Sequence, residues 1–291
     1  GMFDEAKHAE LIKQLEDFNK NGSGILLLYG HGSMEKSIRG YADITCWIDV
    51  TPKKAVLNVK AGKYKNIGEK TAKAFKLTMR RNYYVDFECA MSLRGEILKD
   101  NKPDWYIAGT YMDKMCLVDN KTMRSIMKEL SMRPFRCRPV YLEGIWGGSY
   151  LTRMRNLPKE IRNCAWCFDM IPLEVSIVAD FNQKQVEFPY FTFVQTMGKE
   201  IMGEACVNKF RGYFPIRFNY DDTWHSNGNM SIQLHPGHEY VTKNNNELGR
   251  QDESYYVVEA GQDAVTYLGF HDDADVDAFI TDIKKSEKEH T

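Results

Sequence analysis

Three side chains with metal-binding chemistry lie close together in the last third of the chain. Gln233 and His235 are two residues apart, and Glu253 follows eighteen residues after His235. On a β-strand, residues two apart point to the same face, so this amide oxygen and imidazole can reach the same ion. A carboxylate from a neighbouring strand would complete a mixed nitrogen and oxygen site suited to zinc or a similar divalent cation. The alternative interpretation is an exposed polar strand face without a metal.

The elements that would position these residues belong to a β-rich second half of the chain. Between residues 136 and 270, short runs of β-forming residues alternate with clusters of Gly and Asn that favour turns. The runs are 175–179, 186–194, 214–218, 230–234, 255–258 and 265–270. Regularly spaced short strands are typical of a sandwich or barrel. Apolar residues at helical spacing predict a last helix from residue 275 to about residue 285.

The first half of the chain has the pattern of an α/β layer. Helical spacing of apolar residues predicts helices over 6–20, 69–77 and 123–130, and a further helix that begins at Thr51-Pro52. Apolar runs predict strands over 25–29, 44–50 and 105–108. We therefore expect two domains, residues 1–135 and 136–291. The expected fold class is an α/β N-terminal layer followed by a mostly-β portion.

A glycine-rich turn in the first domain suggests a phosphate-binding loop. Gly30-His31-Gly32-Ser33 follows the apolar run 25–29, but the Lys that contacts phosphates in such loops is missing. The segment from Asp43 to Pro52 also resembles nucleoside-kinase-like domains. We interpret residues 1–135 as a kinase-like α/β domain without catalytic residues, whose role is structural or partner-binding.

Composition narrows the class of protein and its partners. The chain has 39 Lys and Arg against 40 Asp and Glu, a net charge of -1, so we expect no nucleic-acid partner and no membrane partner. No apolar run approaches the ~18 residues of a membrane span. Seven irregularly spaced cysteines favour a reducing environment, and we expect a cytoplasmic protein. Cys164 and Cys167 form a CxxC pair that we interpret as two buried thiols rather than a redox or zinc motif.

Residues 231–236, Ser-Ile-Gln-Leu-His-Pro, resemble the signature of type I mannose-6-phosphate isomerases, which are zinc enzymes of the cupin superfamily. In that family the Gln and His of this motif are metal ligands, which correspond here to Gln233 and His235. The family's third ligand is the Glu that opens a later motif, here Glu253-Ser-Tyr-Tyr-Val-Val-Glu-Ala. Residues 141–148, 214–218 and 267–269 also resemble family motifs, so the resemblance spans about residues 139–270.

The resemblance implies a fold and a reaction. Residues 136–291 would form a cupin-type jelly-roll barrel, and one Zn²⁺ would be bound at each complete site. The enzyme would interconvert mannose 6-phosphate and fructose 6-phosphate through a cis-enediol, with the metal as a Lewis acid. Ser231 and Arg217 would bind the phosphorylated hexose substrate. The sequence does not assign the catalytic group that moves the proton, for which His238 and Glu239 are nearby candidates.

Two departures from the family pattern favour an alternative function. Gln251 stands where the family usually has a Lys, two residues before Glu253. The family takes its fourth ligand, a histidine, from a strand that would lie beyond Thr291, so we expect the barrel to be incomplete at its C-terminus. A partner chain or a further C-terminal segment would complete it. The alternative is a non-catalytic, cupin-like sugar-binding or regulatory protein.

Overall fold

A computed structural model describes residues 3–289 of the chain, which divides into two compact units, Gly1–Leu234 and His235–Thr291. The first unit is mixed α/β. Its α-helices are α1 (Glu5–Asn21), α2 (Lys36–Arg39), α3 (Pro52–Lys60), α4 (Phe75–Arg81), α5 (Phe87–Lys99), α6 (Asn120–Ser131), α7 (Tyr150–Met154), α8 (Tyr190–Met202) and α9 (Glu204–Lys209). Its strands are β1 (Cys46–Asp49), β2 (Trp105–Ala108), β3 (Cys116–Asp119), β4 (Val140–Leu142), β5 (Trp166–Met170), β6 (Ser176–Phe181), β7 (Lys184–Pro189) and β8 (Phe218–Asp221).

The first sheet confirms the α/β character predicted for the N-terminal part of the chain. Its order is β1-β2-β3, with β1 parallel to β2 and β3 antiparallel to β2. The helix α3 begins with Pro52, whose fixed φ suits the first helical position. The helix α6 begins at a cap in which the Asp119 side chain accepts a hydrogen bond from the backbone N–H of Thr122 at 2.9 Å. These local features explain why both helices lie where the sequence pattern predicts them.

The remaining strands of the first unit form a second sheet and a hairpin. The second sheet has the order β4-β5-β8 with antiparallel pairs, and β6 and β7 form a two-stranded antiparallel hairpin. The backbone N–H of Arg138 donates to the carbonyl of Ser176 at 2.8 Å, which ties the hairpin to the segment before β4. All these strands lie in small open sheets, so the described residues contain no cupin barrel. The expectation of a mostly-β second part is not met, because helices alternate with strands there too.

The main hydrophobic core joins the first sheet, the hairpin and three helices. The helix α6 contributes Met123, Ile126 and Met127, whose spacing of three and four residues places them on one face. The helix α8 contacts α5, α6 and both strands of the hairpin. The core therefore contains residues from both sides of residue 135. Further fully buried members of this core are Tyr106, Val175, Ile177, Phe188, Tyr190 and Phe193.

A buried carboxylate connects β1 to the elements around it. Asp49, at the end of β1, is 4% exposed and accepts hydrogen bonds on both oxygens. Oδ1 receives Trp47 Nε1 at 2.7 Å and Arg94 Nη1 at 3.3 Å. Oδ2 receives the Tyr106 hydroxyl at 2.8 Å and the Thr192 hydroxyl at 2.6 Å. A buried charge with this many donors is compensated, and it fixes β1, β2, α5 and α8 relative to one another.

The second unit has little regular structure and little buried surface. Its helices are α10 (His238–Asn244) and α11 (Val276–Glu289), and α11 confirms the last helix predicted from the sequence. Within residues 235–289, Val241 is the one buried hydrophobic residue. Tyr256 and Leu268 are 90% and 98% exposed, although both belong to predicted strands. This unit therefore does not show the packed strand layers that the sequence pattern predicts.

Several predicted strands are wrong for a common physical reason. In the part of the chain that the structure describes, residues 25–29, 230–234, 255–258 and 265–270 form neither helix nor strand. An apolar or alternating run shows which side chains a strand would bury, but a strand also needs a neighbour that pairs its backbone N–H and C=O groups. Ile25 is 96% exposed, and Ile232 and Leu234 are each 94% exposed, so these runs have neither burial nor pairing.

Candidate metal centre

The structure places Ser231 and Gln233 in an exposed irregular segment at the end of the first unit. Residues 229–237 contain no helix or strand, so the two side chains do not share a strand face as predicted. Both residues are exposed, as are the apolar residues between and after them. The sequence motif is therefore present without the strand that the sequence argument assumed. Gln233 lies in the first unit, and His235 begins the second.

His235 and Glu253, two of the three predicted metal ligands, come together in the second unit. The distance from His235 Nε2 to Glu253 Oε2 is 2.8 Å, although eighteen residues separate them in the chain. Their side chains are 34% and 31% exposed. The imidazole and carboxylate are thus close to each other and open to solvent, which a site for an ion and a sugar phosphate requires.

Two further side chains hold the Glu253 carboxylate. The Tyr255 hydroxyl donates to Oε1, and the Gln251 amide donates to Oε2 at 3.3 Å. The hydrogen bond from Tyr255, with smaller contributions from His235 and Gln251, lowers the pKa of the Glu253 carboxyl below its ordinary value. The carboxylate is therefore kept in its charged form, which is the form that binds a metal.

These donors fit zinc in type but form an incomplete set. Imidazole nitrogen and carboxylate oxygen are both zinc ligands, with bonds of about 2.0–2.2 Å. The two donor atoms are 2.8 Å apart, close to the roughly 3.3 Å that separates two ligands with such bonds to one tetrahedral ion. Among the described residues, no group of three His, Cys, Asp or Glu side chains is placed to hold a metal. The predicted third ligand, Gln233, is an amide and lies outside that set of residue types.

Arg217 lies in the first unit, immediately before β8, and is exposed. Its charge acts on Glu174, a carboxyl that also accepts a hydrogen bond from the Tyr83 hydroxyl at 2.5 Å. Burial nevertheless raises the pKa of Glu174, because desolvation outweighs Tyr83 and Arg217 together. No hydrogen bond joins Arg217 to Ser231 within residues 3–289, so the two predicted phosphate ligands are not brought together directly.

Residues 141–148, which resemble a family motif, have a structural role in this fold. Gly148 donates its N–H to the carbonyl of Asp222 at 2.6 Å, and a Cβ at Gly148 would collide with the Asp222 carboxylate. The Asp222 carboxylate also accepts from the backbone N–H of Leu151 at 2.7 Å and of Trp224 at 2.9 Å. The close approach explains why glycine is needed there.

The prediction of two buried thiols at the CxxC pair is confirmed. Cys164 and Cys167 are both fully buried and free. Burial raises the pKa of the Cys164 thiol to about 12 and raises that of Cys167 as well. A thiol that stays protonated is a poor nucleophile and a poor zinc ligand, so this pair does not contribute to the candidate centre.

Sequence reasoning missed one feature that a simple count would have found. Residues 51–81 contain ten Lys and Arg and a single acidic residue, Glu69. The total net charge of -1 conceals this segment because acidic residues elsewhere offset it. A charge count in a sliding window, rather than over the whole chain, would have revealed it.

The fold and site define a mixed α/β protein that carries an exposed His–Glu pair in a small second unit. Residues 1–132 match a family described as a domain of unknown function (DUF8485). No curated protein and no solved structure matches the chain. No helix among the described residues is long and apolar enough to cross a membrane. The family match ends before Arg217, so all the predicted site residues lie outside it.

Proposed function

We propose that the chain carries the metal-binding part of an aldose–ketose isomerase that interconverts mannose 6-phosphate and fructose 6-phosphate. The observation that carries the proposal is the 2.8 Å approach of His235 and Glu253, two of the three residues that the sequence resemblance identifies as ligands. The resemblance of residues 231–236 to the isomerase motif supports the choice of substrate. The cupin fold is part of the same proposal, with a partner chain or a further segment completing the barrel.

Each residue has a defined role in this proposal. Gln233, His235 and Glu253 would hold one zinc ion through an amide oxygen, an imidazole nitrogen and a carboxylate. Zinc, when bound, supplies Lewis acidity toward the oxygens of the open-chain sugar. Tyr255 keeps the Glu253 carboxylate charged and oriented through its hydrogen bond. Arg217 is exposed and provides a cation for the substrate phosphate.

Ser231 and the group that moves the proton also have roles in this proposal. The Ser231 side chain is exposed and can donate a hydrogen bond to the phosphate. His238 and Glu239 lie in the first turn of α10, within the unit that holds His235 and Glu253. Both are exposed titratable groups and remain the candidates for moving the proton between C1 and C2.

A non-catalytic sugar-binding protein is the second candidate, and one contact favours it. Gln251 occupies the position where the family usually has a Lys, and its amide donates to Glu253 at 3.3 Å. A neutral amide neither attracts a phosphate nor stabilises an anionic intermediate as an ammonium does. A protein with this residue retains hydrogen bonding to a sugar but has less electrostatic stabilisation for isomerisation.

The first test measures zinc in the purified full chain after zinc loading and gel filtration, by elemental analysis. We expect one bound zinc ion in the wild type, and its loss in His235→Ala and in Glu253→Gln, since each removes one ligand. Glu253→Gln preserves the shape of the side chain and removes its charge. The matched control is His271→Ala, an exposed histidine of the same unit outside the centre. Equal zinc content in all four proteins would contradict the metal centre.

The second test separates the two functions. The zinc-loaded chain is incubated with mannose 6-phosphate, and formation of fructose 6-phosphate is followed by a coupled assay. Turnover that is lost in His235→Ala and retained in His271→Ala supports the isomerase. Thermal stabilisation by mannose 6-phosphate without turnover supports the sugar-binding alternative. Neither turnover nor stabilisation would overturn the sugar-phosphate assignment.

A further inference from the structure

The strongest local charge in the molecule lies in residues 51–81, which include α3 and α4. Their net charge is +9, in a chain whose total is -1. The candidate metal centre does not use this segment. Because electrostatic attraction of a ligand depends on the local field, a segment of this kind acts as a cationic surface even in a nearly neutral chain. The net charge of the chain therefore does not decide whether it binds a polyanion.

Most of these cations face solvent without a compensating acid. Glu69 is the single acidic residue of the segment, and it pairs with Lys73 at 2.7 Å and with Arg81 at 2.8 Å. Seven other cations are exposed and make no ion pair with any of the described residues. They are Lys53, Lys60, Lys63, Lys65, Lys70, Lys76 and Arg80. Lys60 has a favourable Coulombic interaction with the Glu143 carboxylate, and an anionic ligand would neutralise charges that have no such partner.

A shallow groove lies at the end of the segment. Its volume is about 510 Å³, and it is lined by Leu77, Arg80, Arg81, Tyr84 and Val85. Tyr84 is 78% exposed and Leu77 is 60% exposed. Two guanidinium groups beside an exposed tyrosine ring provide one surface for phosphate and another for a flat apolar ring.

The Tyr84 ring is presented by a π-helical turn, Asn82–Asp86, between α4 and α5. Buried polar residues hold this turn in place. The Asn66 side-chain amide donates to Asn82 Oδ1 at 2.8 Å and to Asp86 Oδ2 at 2.7 Å, and all three residues are at most 3% exposed. Turns of this type are frequent at functional sites because they redirect side chains within a helix. Here the buried side of the turn is anchored while Tyr84 points outward.

We propose that this groove and the basic segment leading to it bind single-stranded nucleic acid. The Lys and Arg side chains contact phosphates, and an unpaired base stacks on Tyr84. Ten cations spread over 31 residues suit an extended polyanion better than a single nucleotide. An anionic membrane would attract the same cations, so vesicle binding is one of the outcomes that the test below distinguishes.

The test measures the affinity of the full chain for fluorescein-labelled single strands about 16 nucleotides long, oligothymidylate and oligouridylate, by fluorescence anisotropy. We expect the double variant Lys76→Glu/Arg80→Glu to bind at least about tenfold more weakly. Loss of two phosphate contacts also reduces the slope of log affinity against log salt by about 1.4. The matched control is Lys121→Glu/Lys128→Glu, which makes the same charge change at exposed positions of α6.

A second pair of variants tests the stacking contact. We expect Tyr84→Leu to weaken binding about tenfold and Tyr29→Leu, at another highly exposed tyrosine, to leave it unchanged. Circular dichroism and thermal melting establish that each variant is folded. If Tyr84→Leu loses more affinity for oligouridylate than for oligothymidylate, the ligand is identified as RNA. The opposite order identifies DNA.

Four outcomes would overturn the proposal. Equal loss of binding in the α6 control would mean that total charge alone attracts the oligonucleotide. Equal binding to phosphatidylserine vesicles would identify the segment as a membrane surface instead. If free uridine monophosphate displaces the labelled strand as effectively as unlabelled strand at an equal total phosphate concentration, the groove is a mononucleotide site. No binding of either strand at low salt would also reject it.

Discussion

Asp104 shows how one half-buried acidic residue can organise the start of a strand. Its Oδ2 accepts hydrogen bonds from the backbone N–H of Thr45 at 2.8 Å and from the Thr45 hydroxyl at 2.6 Å, and Oδ1 accepts from Lys102 Nζ at 2.7 Å. Partial burial raises the pKa of this carboxyl, but the hydrogen bonds from Lys102 and Thr45 outweigh it and hold the pKa at about 2. The contacts join the segment before β1 to the segment before β2.

This shift predicts a pH-dependent loss of stability. Because the pKa of Asp104 falls from 3.8 to about 2 on folding, its charged form stabilises the fold above about pH 4, and that contribution is lost as the pH falls toward 2. We expect Asp104→Asn to lower the free energy of unfolding by about 1 kcal/mol at neutral pH, a value reduced for solvent exposure. In urea denaturation, the difference from wild type should shrink toward pH 2. Asp113→Asn, at an exposed position, is the control, and a difference independent of pH would contradict the prediction.

Sequence reasoning succeeds for single residues where the cause is local. The helix start at Thr51-Pro52 depends on the geometry of proline itself, and the structure confirms it. The role of Asp49 could not be predicted, because its hydrogen-bond donor Thr192 lies 143 residues away in the chain. An acidic residue at the end of an apolar strand is normally exposed, and only the folded chain supplies the donors that bury it.

At the scale of elements, the β6–β7 hairpin contains a correctable strain. Its two turn residues, Asn182 and Gln183, have φ of 48° and 63°, the left-handed values that a type I′ turn requires. Asn tolerates this conformation, whereas Gln adopts it at a cost that glycine avoids.

We therefore expect Gln183→Gly to raise the free energy of unfolding by about 0.5–1 kcal/mol. Glycine also gains freedom in the unfolded chain, which keeps the net effect small. The control is Gln185→Gly, two residues later in β7, which should lower stability because the strand has no positive φ there. Urea denaturation of both variants measures the difference. Equal destabilisation by both would contradict the assigned turn geometry.

The elements that the sequence predicts best are those with a local pattern and a local boundary. The predicted helices over 6–20, 123–130 and 275–285 correspond to α1, α6 and α11, and the predicted strand over 105–108 is β2. The predicted strand over 186–194 is half wrong, since β7 ends at Pro189 and the aromatic residues that follow form α8. β-forming side chains enter that helix because burial in the main core outweighs their local preference.

At the scale of the whole molecule, the boundary between the compact units follows the contacts between residues and not the change in sequence pattern. The expected boundary at residue 135 follows a change in pattern, whereas the compact units separate between Leu234 and His235. The candidate centre is likewise predictable only in part. The sequence motifs name His235 and Glu253, and these two side chains are in contact in the structure. The strand assumed for Gln233 is absent, because no described strand pairs with residues 230–234.

The extent of the core makes a prediction about fragments. Residues 1–132, the part that matches a family, lack α8, which provides the fully buried Tyr190 and Phe193 and the Gln195 amide that accepts from Arg94 at 2.7 Å. We expect a fragment of residues 1–132 to bind the dye ANS and to lack a cooperative thermal transition, because its apolar surface stays exposed. A fragment of residues 1–234 should unfold cooperatively by circular dichroism. Cooperative unfolding of the shorter fragment would show that α8 is dispensable.

The buried contacts of Asp49 also constrain how such a chain can be inherited. Asp49 and Arg94 lie inside the family match, while their partners Thr192 and Gln195 lie outside it. A gene rearrangement that moved residues 1–132 to a new context would transfer a buried carboxylate and guanidinium without half of their partners. Residues 1–132 can therefore fold in a new context only if another element replaces α8. We also expect Asp49, Arg94, Thr192 and Gln195 to change together in evolution and not one at a time.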